Sequence, residues 1–225
     1  NTTGTTSGGS LTAVGYLAGK YNNATTNELY GSVFMGFYCG TNTTTGVHNA
    51  IVGGFSFYNN TTGSYNTGVG AGVMYNNTGG SNNTAVGNFA SYANTLGNNN
   101  TAMGEEALRY NTASNNTAVG YQAAYSNTTA IYNTAIGTQA GYTNTIGSAN
   151  VFIGMQAGYT FNSANARNTG NIFIGYQAGY STTTGEANLA IGSNNSAYTN
   201  AAGQALTTGY ANAFVGNGAG ASVTT

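Results

Sequence analysis

The stretch Gly170–Gly192 reads GNIFIGYQAGYSTTTGEANLAIG and contains one pattern twice. "IFIG" ends at Gly175 and "LAIG" ends at Gly192, 17 positions later, with Glu186 as the one charged residue between them. Extended in both directions, the same aliphatic-Gly step recurs at Gly15, Gly36, Gly53, Gly70, Gly87, Gly104, Gly120, Gly137, Gly154, Gly175, Gly192 and Gly216. Most steps are 17 residues, one is 16, and three carry insertions. A fixed period of this size, running through nearly the whole chain, is the sequence signature of a solenoid. A single copy has too few apolar atoms to bury a core, whereas stacked copies share one and pair their backbones above and below.

Composition narrows the class. The chain has 225 residues, three Lys or Arg, four Glu, and no Asp, Pro or Trp. A formal net charge of −1 leaves no basic footprint to neutralise phosphates, so no nucleic-acid partner is expected. No apolar run approaches the roughly 20 residues of a spanning helix, so no membrane insertion is expected. Gly and Asn are abundant, but 18 Tyr, 9 Phe and regularly placed Val and Ile set the chain apart from disordered sequences, which lack core-forming residues. The expected fold is all-β, a β-solenoid of the left-handed parallel β-roll type, with about 12 coils at the 17-residue period. Residues 1–225 are read as a single repeat solenoid domain, with repeats over about 11–220 and end segments at 1–10 and 221–225.

The columns of the aligned copies carry the chemistry. The residue before each anchor is Val14, Met35, Val52, Val69, Val86, Met103, Val119, Ile136, Ile153, Ile174, Ile191 or Val215. Two positions earlier stands Thr or an aliphatic residue in most copies. Side chains alternate along a strand, so these two columns share a face, and their apolar, β-branched character predicts that this face is the core. The column between them is mostly Ala or Phe and points the other way. It carries no charge, which predicts a face covered by further copies of the chain. All four of its Phe (Phe34, Phe152, Phe173, Phe214) border an insertion, so longer loops are expected to cover them.

Four residues before the anchor, ten copies carry Asn: Asn49, Asn66, Asn83, Asn100, Asn116, Asn133, Asn150, Asn171, Asn188 and Asn212. At the spacing of about 4.8 Å between stacked strands, Asn amides hydrogen-bond from copy to copy in a ladder. Segments such as "YQAAY" and "YQAGY" follow the anchor and bring a small residue, then Tyr, before turn chemistry such as "NTTG".

No constellation for catalysis or metal binding emerges, and the chain is not read as an enzyme. No cofactor is expected. His48 and Cys39 are single residues of their kinds, whereas a metal site needs several convergent ligands. Cys39 occupies the small-residue column and reads as buried apolar filling. Glu105 and Glu106, with Arg109 close by, read as a solvated surface patch.

The unit "NTAVGYQAAYSNTTAIY", from Asn116 to Tyr132, resembles the head repeats of trimeric autotransporter adhesins and the "NTAVGYQA" units of phage and virus tail-fibre proteins. The resemblance covers about residues 11–220 and matches in column order and Gly placement. It implies a β-roll that associates as a homotrimer and serves as an extracellular fibre on a cell or virion surface, with a host-surface glycan or protein as partner. The adhesin head period is usually shorter than the one found here, and no heptad stalk is visible. The function expected is a structural and adhesive surface fibre. The alternatives are a self-assembling extracellular filament subunit and an ice- or surface-binding solenoid.

Overall fold

The computed structural model describes residues 11–21, 31–163, 169–194 and 200–224. Its contacts group into two units, Asn1–Ala113 and Ser114–Thr225. The first holds β1 (Leu11–Val14), β2 (Ser32–Met35), β3 (Ala50–Val52), β4 (Thr67–Val69), β5 (Thr84–Val86) and β6 (Thr101–Met103). The second holds β7 (Thr117–Val119), β8 (Thr134–Ile136), β9 (Val151–Ile153), β10 (Ile172–Ile174), β11 (Leu189–Ile191) and β12 (Ala213–Val215). Among the described residues there is no helix. Within each unit every strand pairs in parallel with the next in chain order. The register is that of the sequence repeat: Thr67 opposes Thr84 and Val69 opposes Val86. The fold is a parallel β-solenoid.

The anchor glycines follow from this stacking. Gly87 has φ +129, a conformation that side chains rarely adopt, and a Cβ there would stand 2.5 Å from the backbone of Gly104 in the next coil. Conformation and close approach both demand glycine.

The facing of the strands differs from the expectation. The residues before the anchors lie outside: Val14 is 52% exposed, Val69 45% and Val215 68%. Met35, Val52, Met103 and Ile136 are exposed with them, and Val86, Val119, Ile153, Ile174 and Ile191 are half-buried. None of the twelve expected core residues is buried. The core is the intervening column, where Phe34, Ile51, Ala85, Ala102, Ala118, Ala135, Phe152, Phe173 and Ala190 are 0–1% exposed. The physical reason is width. Only a thin space separates each strand from the segment after the glycine bend, and Ala fills it where a β-branched side chain in every coil would not. The Ala column is therefore not a surface awaiting other copies. It is closed within the chain.

Phe enters this thin core by a local exchange of volume. A Cβ on Gly40 would sit 2.7 Å from the Phe34 ring, one on Gly158 2.5 Å from Phe152, and one on Gly179 2.5 Å from Phe173. Each of these glycines stands four residues after its own anchor, and Gly220 does the same for Phe214. The rings fit because a facing side chain is missing; the insertions expected to cover them fall on 22–30, 164–168 and 195–199, outside the described residues.

Candidate functional site

Two asparagine rows close the coils, and in six successive coils both are present. In the first, Asn66 Nδ2 donates to Asn49 Oδ1 at 3.1 Å and to the Gly80 carbonyl at 2.9 Å, while the Asn66 backbone N–H also donates to Asn49 Oδ1. Asn83 repeats this toward Asn66 and the Gly97 carbonyl. In the second unit Asn150, Asn171, Asn188 and Asn212 each donate both backbone and amide N–H to the Oδ1 of the preceding Asn. Asn100 and Asn133 reach the preceding Asn through the backbone N–H, and Asn116 donates to Ala130 O.

The second row was not read from the sequence. Asn60, Asn77, Asn94, Asn111, Asn127 and Asn144 are all buried. Asn77 donates to Asn60 and Asn94 to Asn77, at 2.9 and 2.7 Å. Members of both rows in one coil converge on a single carbonyl. Gly80 O accepts from Asn66 and Asn77, both at 2.9 Å, and Gly147 O accepts from Asn133 at 2.9 Å and Asn144 at 2.8 Å. A buried carbonyl at a turn would otherwise lack partners. The signal was present as Asn seven residues after six successive anchors, but it stands among turn residues and merges with ordinary turn chemistry.

Outside, each unit presents two chemically distinct strips. The first is the open sheet face. Thr67, Thr84 and Thr101 in β4–β6, and Thr117 and Thr134 in β7 and β8, point outward beside Val69, Val86, Met103, Val119 and Ile136. None of these strands carries a charged residue. The second strip is aromatic. Tyr58, Tyr75 and Tyr92 stack with centroids 5.2 Å apart in the first unit. In the second, Tyr125, Tyr142, Tyr159 and Tyr180 stack at 5.0–5.2 Å. Burial, then the neighbouring phenols of Tyr92 and Tyr58, push the Tyr75 phenol above its ordinary value. Stacked rings show edges and hydroxyls rather than faces, so sugar stacking on these Tyr is disfavoured. A Gln row lies alongside: Gln139 donates to Gln122, Gln156 to Gln139 and Gln177 to Gln156, at 3.0–3.2 Å.

No family model, curated protein or solved structure matches the chain. The remaining candidates form no catalytic or metal-binding cluster among the described residues. Cys39 is buried, with its thiol pushed up to about 12 by desolvation, and His48 is exposed and stacks on Tyr65. Glu106 pairs with Arg109, whose guanidinium lies 5.0 Å over the Phe89 ring, while Glu105 faces solvent. No group of three His, Cys, Asp or Glu gathers among the described residues. No helix there is long and apolar enough to cross a membrane.

Proposed function

We propose that the chain is a segment of an extracellular structural and adhesive fibre, and that copies associate through the open sheet face, three around an axis. One observation carries the assembly: the outward Val, Ile and Met row, exposed on strand after strand without a charge. Exposed apolar strips of this length mark association surfaces, and a self-complementary strip suits a symmetric oligomer. The rest of the reading draws on the repeat resemblance and on the neutral, Asn- and Thr-rich surface, which offers many hydrogen bonds and little electrostatic selectivity to a glycan or protein surface.

Sedimentation tests the assembly. The expected species has three times the 22.7 kDa chain mass. Val69→Glu with Val86→Glu should dissociate it into folded single chains, since both side chains are outside in each chain. A wild-type protein that sediments as one chain at micromolar concentration would end the proposal.

One observation favours a second reading. Thr67, Thr84 and Thr101 form a regular outward row beside an aliphatic row, which is the flat hydroxyl-and-methyl array an ice- or mineral-surface binder needs. Freezing-point hysteresis in the purified protein supports that reading, and growth of ice unaffected by the protein ends it.

A further inference from the structure

We infer that the tyrosine stacks are sites of oxidative cross-linking, at which neighbouring rings couple to dityrosine and tie each coil covalently to the next. The repeat pre-organises the reacting groups. Tyr58 and Tyr75 have interplanar angles of 12°, Tyr75 and Tyr92 15°, and the three pairs from Tyr125 to Tyr180 3–10°. The rings cannot drift apart, because the backbone at each Tyr is itself part of the stacking. Asn59 N–H donates to Tyr75 O at 2.9 Å and Asn76 N–H to Tyr92 O at 3.0 Å. In the second unit Ser126, Thr143 and Thr160 make the same bond to Tyr142, Tyr159 and Tyr180 at 3.1–3.2 Å. The rings are half-buried, so their edges face solvent. They lie on the segment after the glycine bend and not on the sheet strands, so packing through the sheet face leaves them open.

The chemistry balances with a peroxide oxidant. Each of two phenols loses one electron and one proton to give a phenoxyl radical with spin density on its ortho carbons. A carbon–carbon bond forms between two ortho positions, and the ortho hydrogens move to the oxygens as the rings regain aromaticity. The two electrons and two protons released reduce one hydrogen peroxide to two waters, with a haem peroxidase as the mediator. Radical coupling normally waits on the encounter of two rings, and here the partner is held in contact, which is the advantage of a bimolecular step made intramolecular. Elsewhere the geometry differs: Tyr16 stacks on Phe37 and Tyr65 on His48, while the Tyr16–Tyr38 and Tyr38–Tyr58 rings meet edge-on or tilted and not face to face.

The test treats dilute full-length chain with a haem peroxidase and hydrogen peroxide. It reads dityrosine fluorescence in the single-chain band of a denaturing gel, together with cross-linked peptides by mass. Wild-type chain should show the signal in that band, with each link two hydrogens lighter and joining Tyr58 to Tyr75, Tyr75 to Tyr92, or neighbours in the Tyr125–Tyr180 stack. Tyr75→Phe with Tyr142→Phe and Tyr180→Phe keeps every ring but breaks every Tyr pair of the two stacks. That variant should fold, by circular dichroism, and lose the single-chain signal by about tenfold or more. A signal confined to multi-chain bands, links mapped to Tyr16, Tyr65 or Tyr132, or equal yields from wild type and the triple variant would each overturn the inference.

Discussion

Ala118 and Val119 are neighbours in β7, and they occupy opposite worlds. Ala118 is fully buried, while Val119, the more hydrophobic residue, is half-exposed. The same inversion runs through both units. In a globular domain the larger aliphatic side chain takes the interior because the interior is wide. In a coil this narrow the interior accepts what fits, and size outranks hydrophobicity. The difference between the two rows teaches that the outer aliphatic row is surplus to the fold of one chain, and it is therefore the row free to serve contacts beyond the chain.

The comparison breaks most severely at the glycines. Gly87→Ala combines left-handed strain with a Cβ at 2.5 Å from the Gly104 backbone, and should cost about 3–5 kcal/mol. Gly216→Ala meets the same kind of φ, +116, but finds nothing within 4 Å. It should cost only the conformational part, about 1–3 kcal/mol. Denaturant unfolding of the two variants checks the ordering, and equal losses would mean that stacking of the glycines is not what excludes a side chain.

The asparagine rows come next. Asn83→Ala removes the donors to Asn66 Oδ1 and Gly97 O and the acceptor for the Asn100 backbone N–H. Losing these three buried bonds should cost about 2–4 kcal/mol, although Asn66 Oδ1 still accepts from the Asn83 backbone N–H and Gly97 O from Asn94. Asn76, a half-buried residue that accepts from Asn59 Nδ2, makes the matching surface contact, and Asn76→Ala should cost less than about 1 kcal/mol. Similar losses at the two positions would contradict the division into inner and outer amides.

Within one strand the contrast is smaller and cleaner. Ala118→Leu forces added volume into the thin core and should cost about 1–3 kcal/mol. Val119→Thr changes a half-exposed side chain and should stay within about 0.5 kcal/mol in the separated chain. If the fibre proposal holds, the same Val119→Thr weakens association instead, so its effect appears in sedimentation and not in unfolding.

Much of this was readable from the residues, and the part misread has a definite cause. The period, the Gly bend and the first Asn row all emerged from column counting, because each is a single residue type imposed by backbone geometry. The facing fails because Val, Ile and Thr are core-forming by type, and type does not report the width of the core. The parity was on the page: Asn116 and Ala118 are two apart, so a buried Asn ladder carries the Ala column inside with it. The volume exchange was legible only in part: "QAG" follows Phe152 and Phe173 and "QAA" follows Ala118, but "QAG" also follows Ala135, because Gly141 faces Phe152 in the next coil. The tyrosines also stand in one column, five residues after their anchors, but that their rings lie face to face depends on side-chain orientation, which the repeat does not state.

The smallest effect concerns the core's one thiol, on the segment that faces the inner row across the coil. Cys39 occupies the position where Ala dominates, fully buried, with its thiol raised to about 12 by desolvation. The folded state therefore holds its proton where the unfolded chain, with an ordinary thiol, has released it. The unfolded state binds fewer protons above its own thiol pKa, so stability from this group is complete below about pH 8.5 and declines as pH rises toward 12. Reactivity gives a sharper reading than stability, because the thiolate is the nucleophile. At mildly alkaline pH, native Cys39 should resist a water-soluble thiol reagent until the chain unfolds. A cysteine placed on the outer row, Val52→Cys in a Cys39→Ala background, should react at the rate of a free thiol once Val69→Glu with Val86→Glu has separated the assembly into folded single chains. Rapid labelling of Cys39 under native conditions would show that the core opens to solvent, and the distinction between inside and outside would then fail at its most accessible point of measurement.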